Sequence, residues 1–313
     1  MTTGRPIALT GGTGFVGQAV LDEAARRGLR VKALARRAMP PREGVEWVRG
    51  DLHDAAALAD LVTGARGVLH IAGVVNAPDK AGFHAGNVAG TANMLRAAKS
   101  LGSGRFVAVS SLAAREPHLS EYGKSKRAAE ELIHASGLDW TLIRPPAIYG
   151  PRDTEMFELF RAARLGVVPM PPAGRASVIH VNDLARLLLD ALGDEQEWQG
   201  AVFEPDDARP GGWPHGELAQ AIGNAVGRRV WAPAIPAALL KAGARIDRLM
   251  RGDKARLTPD RASYMIHPDW VADPARAVPV HLWQPRIATP DGLAQTARWY
   301  AQEGWFGGGG PGI

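Results

Sequence analysis

Short apolar runs alternate with longer helical patterns through the first half of the chain, and this alternation limits the possible folds more than any other feature. The runs are apolar almost throughout, as strands buried on both faces of a sheet must be. Each run except the last is followed by a stretch long enough to cross back over the sheet as a helix. The predicted strands are PIALT, RVKALA, GVLHIA, RFVAVSS and DWTLIR, and the predicted helices cover residues 15–28, 54–62, 87–100 and 122–136. The pattern predicts an α/β fold with a doubly wound parallel sheet and right-handed crossovers.

A glycine-rich turn joins the first predicted strand to the first helix. In TGGTGFVG, the glycines satisfy both G-x-x-G-x-x-G and G-x-G-x-x-G. These spacings allow a tight turn, close approach of the backbone to a pyrophosphate and close helix packing, while the helix N-terminus supplies N–H groups and a positive dipole. The strand–turn–helix context distinguishes a dinucleotide-binding (Rossmann) fingerprint from a plain glycine loop. The residues predicted to bind the cofactor here are Thr10, Gly11, Gly14, Phe15, Val16 and Gly17.

The end of the second predicted strand indicates which dinucleotide binds. An NAD site usually places an acidic residue there for the ribose hydroxyls, whereas this chain has Ala35 at that position and Arg36 directly after it. A charged hydrogen bond from arginine to a 2′-phosphate is worth about 1.5–3 kcal/mol, or roughly tenfold to more than a hundredfold in affinity. We therefore predict that NADP(H) is preferred and that Arg36 contacts it, with NAD(H) as the alternative and a solvated arginine as the competing interpretation. On the adenosine side, the expected contacts are Asp51, Leu52, Ala72 and Gly73.

The pattern changes after residue 150, where turn sequences, prolines and tryptophans become frequent. We predict a dinucleotide-binding domain over residues 1–150 and, over 151–313, mostly a smaller C-terminal substrate-binding lobe. Residues 177–205, with the strand VIHV and the helix after it, are expected to return to the first domain. The terminal GGGGPGI is expected to be disordered.

Composition narrows the class of protein. The 313 residues include no cysteine, which excludes disulfides and thiolate ligands and makes the cytoplasm the default location. The nine histidines have no metal-binding spacing, so we expect no metal. We find neither a signal peptide nor an apolar stretch of the ~18 residues that span a membrane. The net charge of +5 comes from dispersed arginines, so we expect a small-molecule substrate rather than a nucleic acid. The sequence is compatible with a homodimer.

Tyr122 and Lys126 lie four residues apart in EYGKSKRAAEE, and this spacing puts both on one face of a helix. A phenol with a pKa near 10 is a poor acid or base at neutral pH, but an adjacent cation favours the phenolate. Such a pair is usually a solvated helix face. The glycine turn upstream and the serine pair Ser110 and Ser111 favour a proton-transfer site.

Taken together, these motifs resemble those of the extended or atypical branch of the short-chain dehydrogenase/reductase superfamily, whose members are similar to NAD-dependent epimerases and dehydratases. The resemblance covers nearly the whole chain. The matching segments are TGGTGFVG, GDL, HIAG, NVAGTANML, VSS, YGKSK, RPPAIYGP, VIHVNDLA and the C-terminal WQPRIATPDGLAQTARWYAQEGW.

The resemblance implies roles for individual residues. Tyr122 would be the catalytic acid and base, and Lys126 would assist it and hold the nicotinamide ribose. Ser111 would hydrogen-bond the substrate oxygen, with Ser110 as the alternative. The segment that includes Pro145 and Ile148 would pass beside the nicotinamide, and Asn87 would support the site through its helix.

Two departures from the family pattern favour some of the family's activities over others. Only LAAREPHLSE separates the serine from the tyrosine, where sugar-nucleotide enzymes usually have a longer insertion. Leu112 and Ala113 follow the serine where dehydratases carry an acidic pair. We therefore predict an NADP(H)-dependent oxidoreductase that interconverts a carbonyl and a secondary alcohol on a small or apolar substrate. The alternatives are a nucleotide-sugar epimerase and a non-catalytic NADPH-binding protein.

Three other polar residues are interpreted as structural. His70 and His180 lie on predicted buried strands, where a histidine is usually a satisfied core residue. Asp183 in VIHVNDLA stands where a helix begins and is interpreted as its N-cap.

Overall fold

The computed structural model describes residues 4–101, 104–252, 255 and 257–307, so the terminal segment from residue 308 lies outside the described residues. The strands are β1 (Ile7–Thr10), β2 (Val31–Ala35), β3 (Val45–Arg49), β4 (Gly67–His70), β5 (Phe106–Val109), β6 (Trp140–Ile143), β7 (Ala147–Tyr149), β8 (Arg175–Ala176), β9 (Val178–His180), β10 (Ala201–Phe203), β11 (Trp213–Pro214) and β12 (Asp269–Trp270).

The α-helices are α1 (Phe15–Arg26), α2 (Ala55–Val62), α3 (Lys80–Phe83), α4 (Gly90–Ala98), α5 (Glu121–His134), α6 (Phe157–Arg164), α7 (Val181–Asp190), α8 (His215–Ala225), α9 (Ala237–Arg251), α10 (Pro259–Met265) and α11 (Thr289–Gln302). A π-helical turn, His84–Ala89, joins α3 to α4. Short 3-10 helices cover Lys99–Leu101, Leu112–Arg115, Gln196–Trp198, Pro274–Arg276 and Trp305–Gly307.

Contacts divide the chain into two compact units. The first comprises Met1–Arg144, Leu184–Glu204 and Val278–Trp283, and the second comprises Pro145–Asp183, Pro205–Ala277 and Gln284–Ile313. Among the described residues, no helix combines the length and the apolar composition that crossing a membrane requires.

The first unit is built on a seven-stranded sheet in the order β10-β6-β5-β4-β1-β2-β3. Every neighbouring pair is parallel, and Ile7 of β1 lies beside Val31 of β2 on one side and Gly67 of β4 on the other. All residues of β1, β2 and β4 are buried, as expected for strands covered by helices on both faces. The predicted α/β class and doubly wound sheet are confirmed.

The strand that returns to this sheet is not the one predicted. VIHV forms β9, which pairs with β7 in a separate two-stranded sheet, while the edge position beside β6 is taken by β10. Both β9 and a central strand of the large sheet are buried and apolar, so their local sequences look alike. β10 has only three residues and gave no periodic signal. β3 was also missed, because it is an edge strand with exposed Glu46 and Arg49.

The second unit contains two small sheets and its own apolar core. β7 pairs with β9, and β8 pairs with β11 on one side and β12 on the other. Side chains from α6, α8 and α11 fill the core, including Phe160, Ile222, Leu293 and Tyr300, which are all buried.

Asp183 is not an N-cap, which corrects the sequence interpretation. β9 ends at His180 and α7 begins at Val181, so Asp183 already lies in the first helical turn. Its carboxylate accepts hydrogen bonds from the backbone N–H groups of Arg286 and Ile287, at 2.9–3.2 Å. Asp183 therefore anchors a distant loop of its own unit instead of the start of its helix.

Candidate active site

The glycine turn lies between the carboxyl end of β1 and the start of α1. Gly11 has φ of +77°, and a Cβ there would lie 2.8 Å from the backbone N of Ala72. A Cβ at Gly17 would overlap the carbonyl oxygen of Gly11. Gly14 caps α1 without any side-chain hydrogen bond, so the first N–H groups of the helix, around Phe15 and Val16, have no side-chain cap. The turn therefore has the glycine cradle and the open helix N-terminus that a pyrophosphate requires.

The predicted adenosine contacts follow β2 and β3. Arg36 is exposed and comes directly after the last residue of β2. Asp51 is also exposed, and its Oδ1 accepts a hydrogen bond from His53 N at 2.7 Å. Asn93 Nδ2 donates to the carbonyl oxygen of Leu52 at 2.8 Å, which ties this loop to α4. Because β2 and β3 are parallel neighbours, Arg36 and the loop of Asp51 and Leu52 follow the same edge of the sheet.

Ala72 and Gly73 follow β4, next to the glycine turn. Ala72 N donates to Thr10 Oγ1 at 3.2 Å, so the ends of β1 and β4 are joined by a hydrogen bond. A Cβ on Gly73 would lie 2.8 Å from Asn87 Oδ1 and 3.2 Å from Lys126 Nζ. The structure therefore brings Thr10, Ala72 and Gly73 together with the predicted ribose-binding lysine.

Lys126 lies on α5 with its side chain buried against the end of β5. Its Nζ donates to the carbonyl oxygen of Val109 at 3.1 Å. Burial lowers the pKa of Lys126 from 10.5 to about 8, although the negative charge of Glu130, one turn along α5, opposes the shift. Tyr122 is half-buried one turn before Lys126, and its ring centroid lies 6.2 Å from that of Phe83. The pair therefore occupies one face of α5, as the four-residue spacing predicts.

Ser111 begins the short helix Leu112–Arg115. Its Oγ accepts a hydrogen bond from Ala113 N at 3.2 Å, and its side chain is half-buried. α5 packs tightly on this segment, because a Cβ on Gly123 would lie 2.6 Å from the carbonyl oxygen of Ala113. Gly123 directly follows Tyr122 in sequence, so the elements that carry Ser111 and Tyr122 are in contact. Ser110 Oγ is buried and has no hydrogen-bond partner among the described residues.

A buried chain of hydrogen bonds runs behind the site. His70 Nδ1 pairs with Thr10 Oγ1 at 2.8 Å, and His70 Nε2 pairs with Thr91 Oγ1 at 3.0 Å. Thr91 in turn donates to the carbonyl oxygen of Asn87 at 2.6 Å. Burial, with a smaller contribution from the charge of Lys126, lowers the pKa of His70 to about 3 and keeps the ring neutral. His70 is therefore the satisfied core residue that the sequence indicates, but its partners connect the glycine turn to α4.

Asn87 links the same chain to α5. It lies in the π-helical turn, an irregularity that often occurs at functional sites. Its side chain exchanges two hydrogen bonds with the backbone of Val74, at 2.7 and 2.9 Å. It also donates to Ser125 Oγ at 2.9 Å, next to Lys126. These hydrogen bonds tie the π-helical turn to the loop after β4 and to α5.

An ion network under α5 was missed by the sequence analysis. Arg144 donates to both carboxylate oxygens of Glu130, at 2.8 and 2.6 Å, and to Glu204 at 3.3 Å. Arg115, at the end of the short helix that Ser111 begins, pairs with Glu204 at 3.0 Å. The four residues join α5, β6, β10 and the serine segment. No local motif signals the network, because its members are separated by 14 to 89 positions along the chain.

Two predicted residues belong to the second unit. Pro145 is its first residue, directly after Arg144, and Ile148 lies in β7 opposite Ile179 of β9. Across the described part of the chain, no group of three or more potential ligands could hold a metal ion.

Comparison with known proteins shows what the chain is similar to. A family model described as NAD(P)H-binding matches residues 11–195. A Caulobacter vibrioides protein named ceramide reductase is 35% identical over 320 residues, covering 96% of this chain and 96% of that protein. A Stenotrophomonas maltophilia protein named 2-alkyl-3-oxoalkanoate reductase is 29% identical over 313 residues, covering 86% of this chain and 92% of that protein.

Solved structures share the fold. MoeE5 in complex with UDP-glucose and NAD superposes with a TM-score of 0.74 at 22% identity, covering 95% of this chain and 99% of that one. UDP-N-acetylglucosamine 4-epimerase from Bacillus cereus gives a TM-score of 0.69 at 19% identity, covering 94% and 96%. At these identities the likeness concerns the fold and not the reaction.

Proposed function

Because the chain belongs to the NAD(P)H-binding family and to the extended or atypical branch of the short-chain dehydrogenase/reductase superfamily, we propose that it is an NADPH-dependent reductase that converts a ketone on a long-chain apolar substrate into a secondary alcohol. The observation that carries the proposal is the burial of Lys126 at the end of β5, one helical turn after Tyr122. In this position the pKa of Lys126 is about 8.

The cofactor fits residues of the first unit. A Cβ at Gly11 or Gly17 would clash with neighbouring backbone, so the tight turn depends on glycine, and the N-terminus of α1 has no side-chain cap and offers its N–H groups to a pyrophosphate. Thr10, Gly14, Phe15, Val16, Asp51, Leu52, Ala72 and Gly73 line the same edge of the sheet and would hold the rest of the dinucleotide. We assign Pro145 and Ile148 to the nicotinamide end. When bound, the nicotinamide supplies hydride transfer.

The protein's own residues handle the proton and the oxygen. The Tyr122 hydroxyl donates a proton to the substrate oxygen as the alcohol forms, and the Ser111 hydroxyl hydrogen-bonds that oxygen as negative charge develops on it. The Lys126 ammonium stabilises the phenolate that remains and orients the ribose. The hydrogen bond that Ser111 Oγ accepts from Ala113 N leaves the hydroxyl hydrogen for the substrate.

Arg36 supports NADPH over NADH. It directly follows Ala35, which ends β2 where an acidic side chain would favour the unmodified ribose, and its side chain is exposed. A guanidinium there offers a charged hydrogen bond to the 2′-phosphate.

The substrate class is supported by the two relatives. Both are named as reductases, and the name of one specifies alkyl and oxoalkanoate groups. Each aligns with most of this chain, including the second unit, to which we assign the substrate-binding lobe.

A spectroscopic assay tests the proposal. Purified protein is mixed with NADPH and either a long-chain 3-oxo compound or a nucleotide sugar, and the absorbance of the reduced cofactor is followed. We expect the wild type to oxidise one NADPH for each alcohol formed from the 3-oxo compound. Tyr122→Phe should abolish this oxidation of NADPH. C-epimer formed from the nucleotide sugar with no net change in absorbance would instead support the epimerase. Cofactor binding without turnover of any ketone, aldehyde or sugar would support the binding protein.

A further inference from the structure

Helix α9 in the second unit exposes an apolar face. Leu240 and Ala244 are buried and hold the helix against its unit. On the opposite side, Leu249 is 87% exposed and Met250 79% exposed. Together with Leu239, Ala242 and Ile246, which are also exposed, they fall within an arc of about 100° at 3.6 residues per turn. A surface helix of a globular protein normally turns this kind of face inward.

Basic side chains border this apolar face on one side. By the same helical geometry, Lys241, Arg245 and Arg248 lie in successive turns beside it, and Arg251 follows at the C-terminus. The acidic residue in α9 is Asp247, whose carboxylate accepts a hydrogen bond from Leu257 N at 2.9 Å and pairs with Arg251 at 3.2 Å. The carboxylate is therefore neutralised, and the helix presents net positive charge.

A second apolar site lies just before the helix in the same unit. Trp231 is 70% exposed, and its backbone is hydrogen-bonded to Gly166 and Val168. This pairing places it beside the segment that holds the exposed Leu165. Arg228 and Arg229, both exposed, lie three and two positions before it in the chain. Tryptophan with neighbouring arginine is the combination that favours the boundary between lipid acyl chains and headgroups.

We propose that the exposed face of α9, with Trp231, docks the protein onto the surface of a bilayer that contains anionic phospholipids. An apolar arc bordered by lysine and arginine is the composition of helices that lie in the headgroup region with their apolar side inserted. The charge is complementary to anionic headgroups. With 15 residues, α9 is about 22 Å long at 1.5 Å per residue, so it lies along the surface and does not span it.

The inference rests on the proposed function, because docking is useful to a reductase whose long-chain substrate resides in a membrane and must be reached there. A docked second unit would hold the protein at the interface where such a substrate is presented. The docking itself requires no chemistry at Tyr122, so the two proposals can fail independently.

Flotation with vesicles tests the docking. The full-length protein is mixed with vesicles of phosphatidylcholine alone or of phosphatidylcholine with phosphatidylglycerol. We expect binding to the second kind and loss of binding in the double variant L249E/M250E. The neutralised variant K241Q/R245Q should bind roughly thirtyfold more weakly, since each basic residue near an anionic surface contributes about a factor of five. Val280→Glu is the matched control, because Val280 is an apolar residue of the first unit that is 74% exposed and lies outside α9, so this variant should bind like the wild type.

Two further measurements separate the outcomes. L249E/M250E should keep the wild-type rate on a short, water-soluble ketone and lose turnover of a long-chain ketone embedded in anionic vesicles. Equal vesicle binding by wild type and L249E/M250E, or no binding by either, would overturn the docking even if the soluble ketone is reduced. Vesicle binding without turnover of any ketone would leave the docking standing and refute the reductase. A wild-type dimer that L249E/M250E converts to a monomer would show that a second copy covers the face, which also overturns the docking.

Discussion

Replacing Lys126 by methionine should stabilise the cofactor-free protein while destroying its activity. Lys126 is buried, and at neutral pH it carries a charge that the interior disfavours. Methionine has a similar length and no charge, so it can fill the same space. A residue retained for chemistry at the expense of stability should behave in this way.

The size of the effect follows from the pKa. Burial lowers it from 10.5 to about 8, which corresponds to about 3 kcal/mol at 1.36 kcal/mol per pKa unit. Methionine also loses the hydrogen bond to the Val109 carbonyl oxygen, which is worth about 1 kcal/mol. We therefore expect Lys126→Met to raise the free energy of unfolding by about 2 kcal/mol at pH 7.

The pH dependence distinguishes this mechanism from better packing. The pKa in the folded state is lower than in the unfolded state, so between about pH 8 and pH 10.5 the unfolded state binds more protons at Lys126. The wild type therefore gains stability from this group as pH rises through that window, and below it the penalty is fully present. The advantage of Lys126→Met should be constant below about pH 8 and should shrink above it.

Urea unfolding without cofactor, at pH 7 and near pH 10, measures this difference. Lys124→Met is the matched control, because Lys124 is exposed on the same helix and should change stability by less than about 0.5 kcal/mol. The reasoning is refuted if Lys126→Met is less stable than the wild type, or if its advantage is the same at both pH values.

Three other substitutions test separate parts of the site. Arg36→Ala should remove most of the preference for NADPH, which we expect to be roughly tenfold or more. Fluorescence quenching gives the dissociation constants, and equal constants for NADPH and NADH in the wild type would contradict the prediction. Tyr122→Phe should keep the cofactor affinity and lower kcat/KM at least about a hundredfold, whereas an unchanged rate would exclude Tyr122 as the acid. Gly123→Ala should lower the free energy of unfolding by about 1–3 kcal/mol, because its Cβ would lie 2.6 Å from the Ala113 carbonyl oxygen. Urea unfolding that matches the wild type would show that the contact relaxes freely.

The fold could be predicted where the sequence pattern follows from burial. β1, β2, β4, β5 and β6 lie between helices, so their sequences are apolar and short, and helical segments follow β1, β4 and β5 along the chain. The prediction failed at the edges. β3 is half-exposed, β10 has three residues, and β9 has the apolar character of a central strand although it pairs in another sheet. Local sequence reports burial, but it does not report which sheet a buried strand joins.

The candidate site, like the fold, has parts that local sequence predicts and parts that it does not. The spacing of Tyr122 and Lys126 is local, so one helical turn was enough to predict their shared face. Asp183 required knowledge of where β9 ends and of a loop more than a hundred residues away, and the sequence interpretation of it was wrong. Its carboxylate can accept from any N–H group that the fold brings near, and sequence alone ranks only the neighbouring ones.

The buried hydrogen bonds around Lys126 explain why burial affects the pKa of this lysine more than the charges of its neighbours do. His70 stays neutral because burial lowers its pKa to about 3, so it adds no second positive charge. Glu130 would favour the ammonium strongly if its carboxylate faced Lys126 alone, but two hydrogen bonds from Arg144 already neutralise it. The lowering of the Lys126 pKa by burial is therefore only partly offset. A lysine with a pKa near 8 is still mostly charged at neutral pH, which suits the role we propose for it, in which the ammonium stabilises the phenolate of Tyr122.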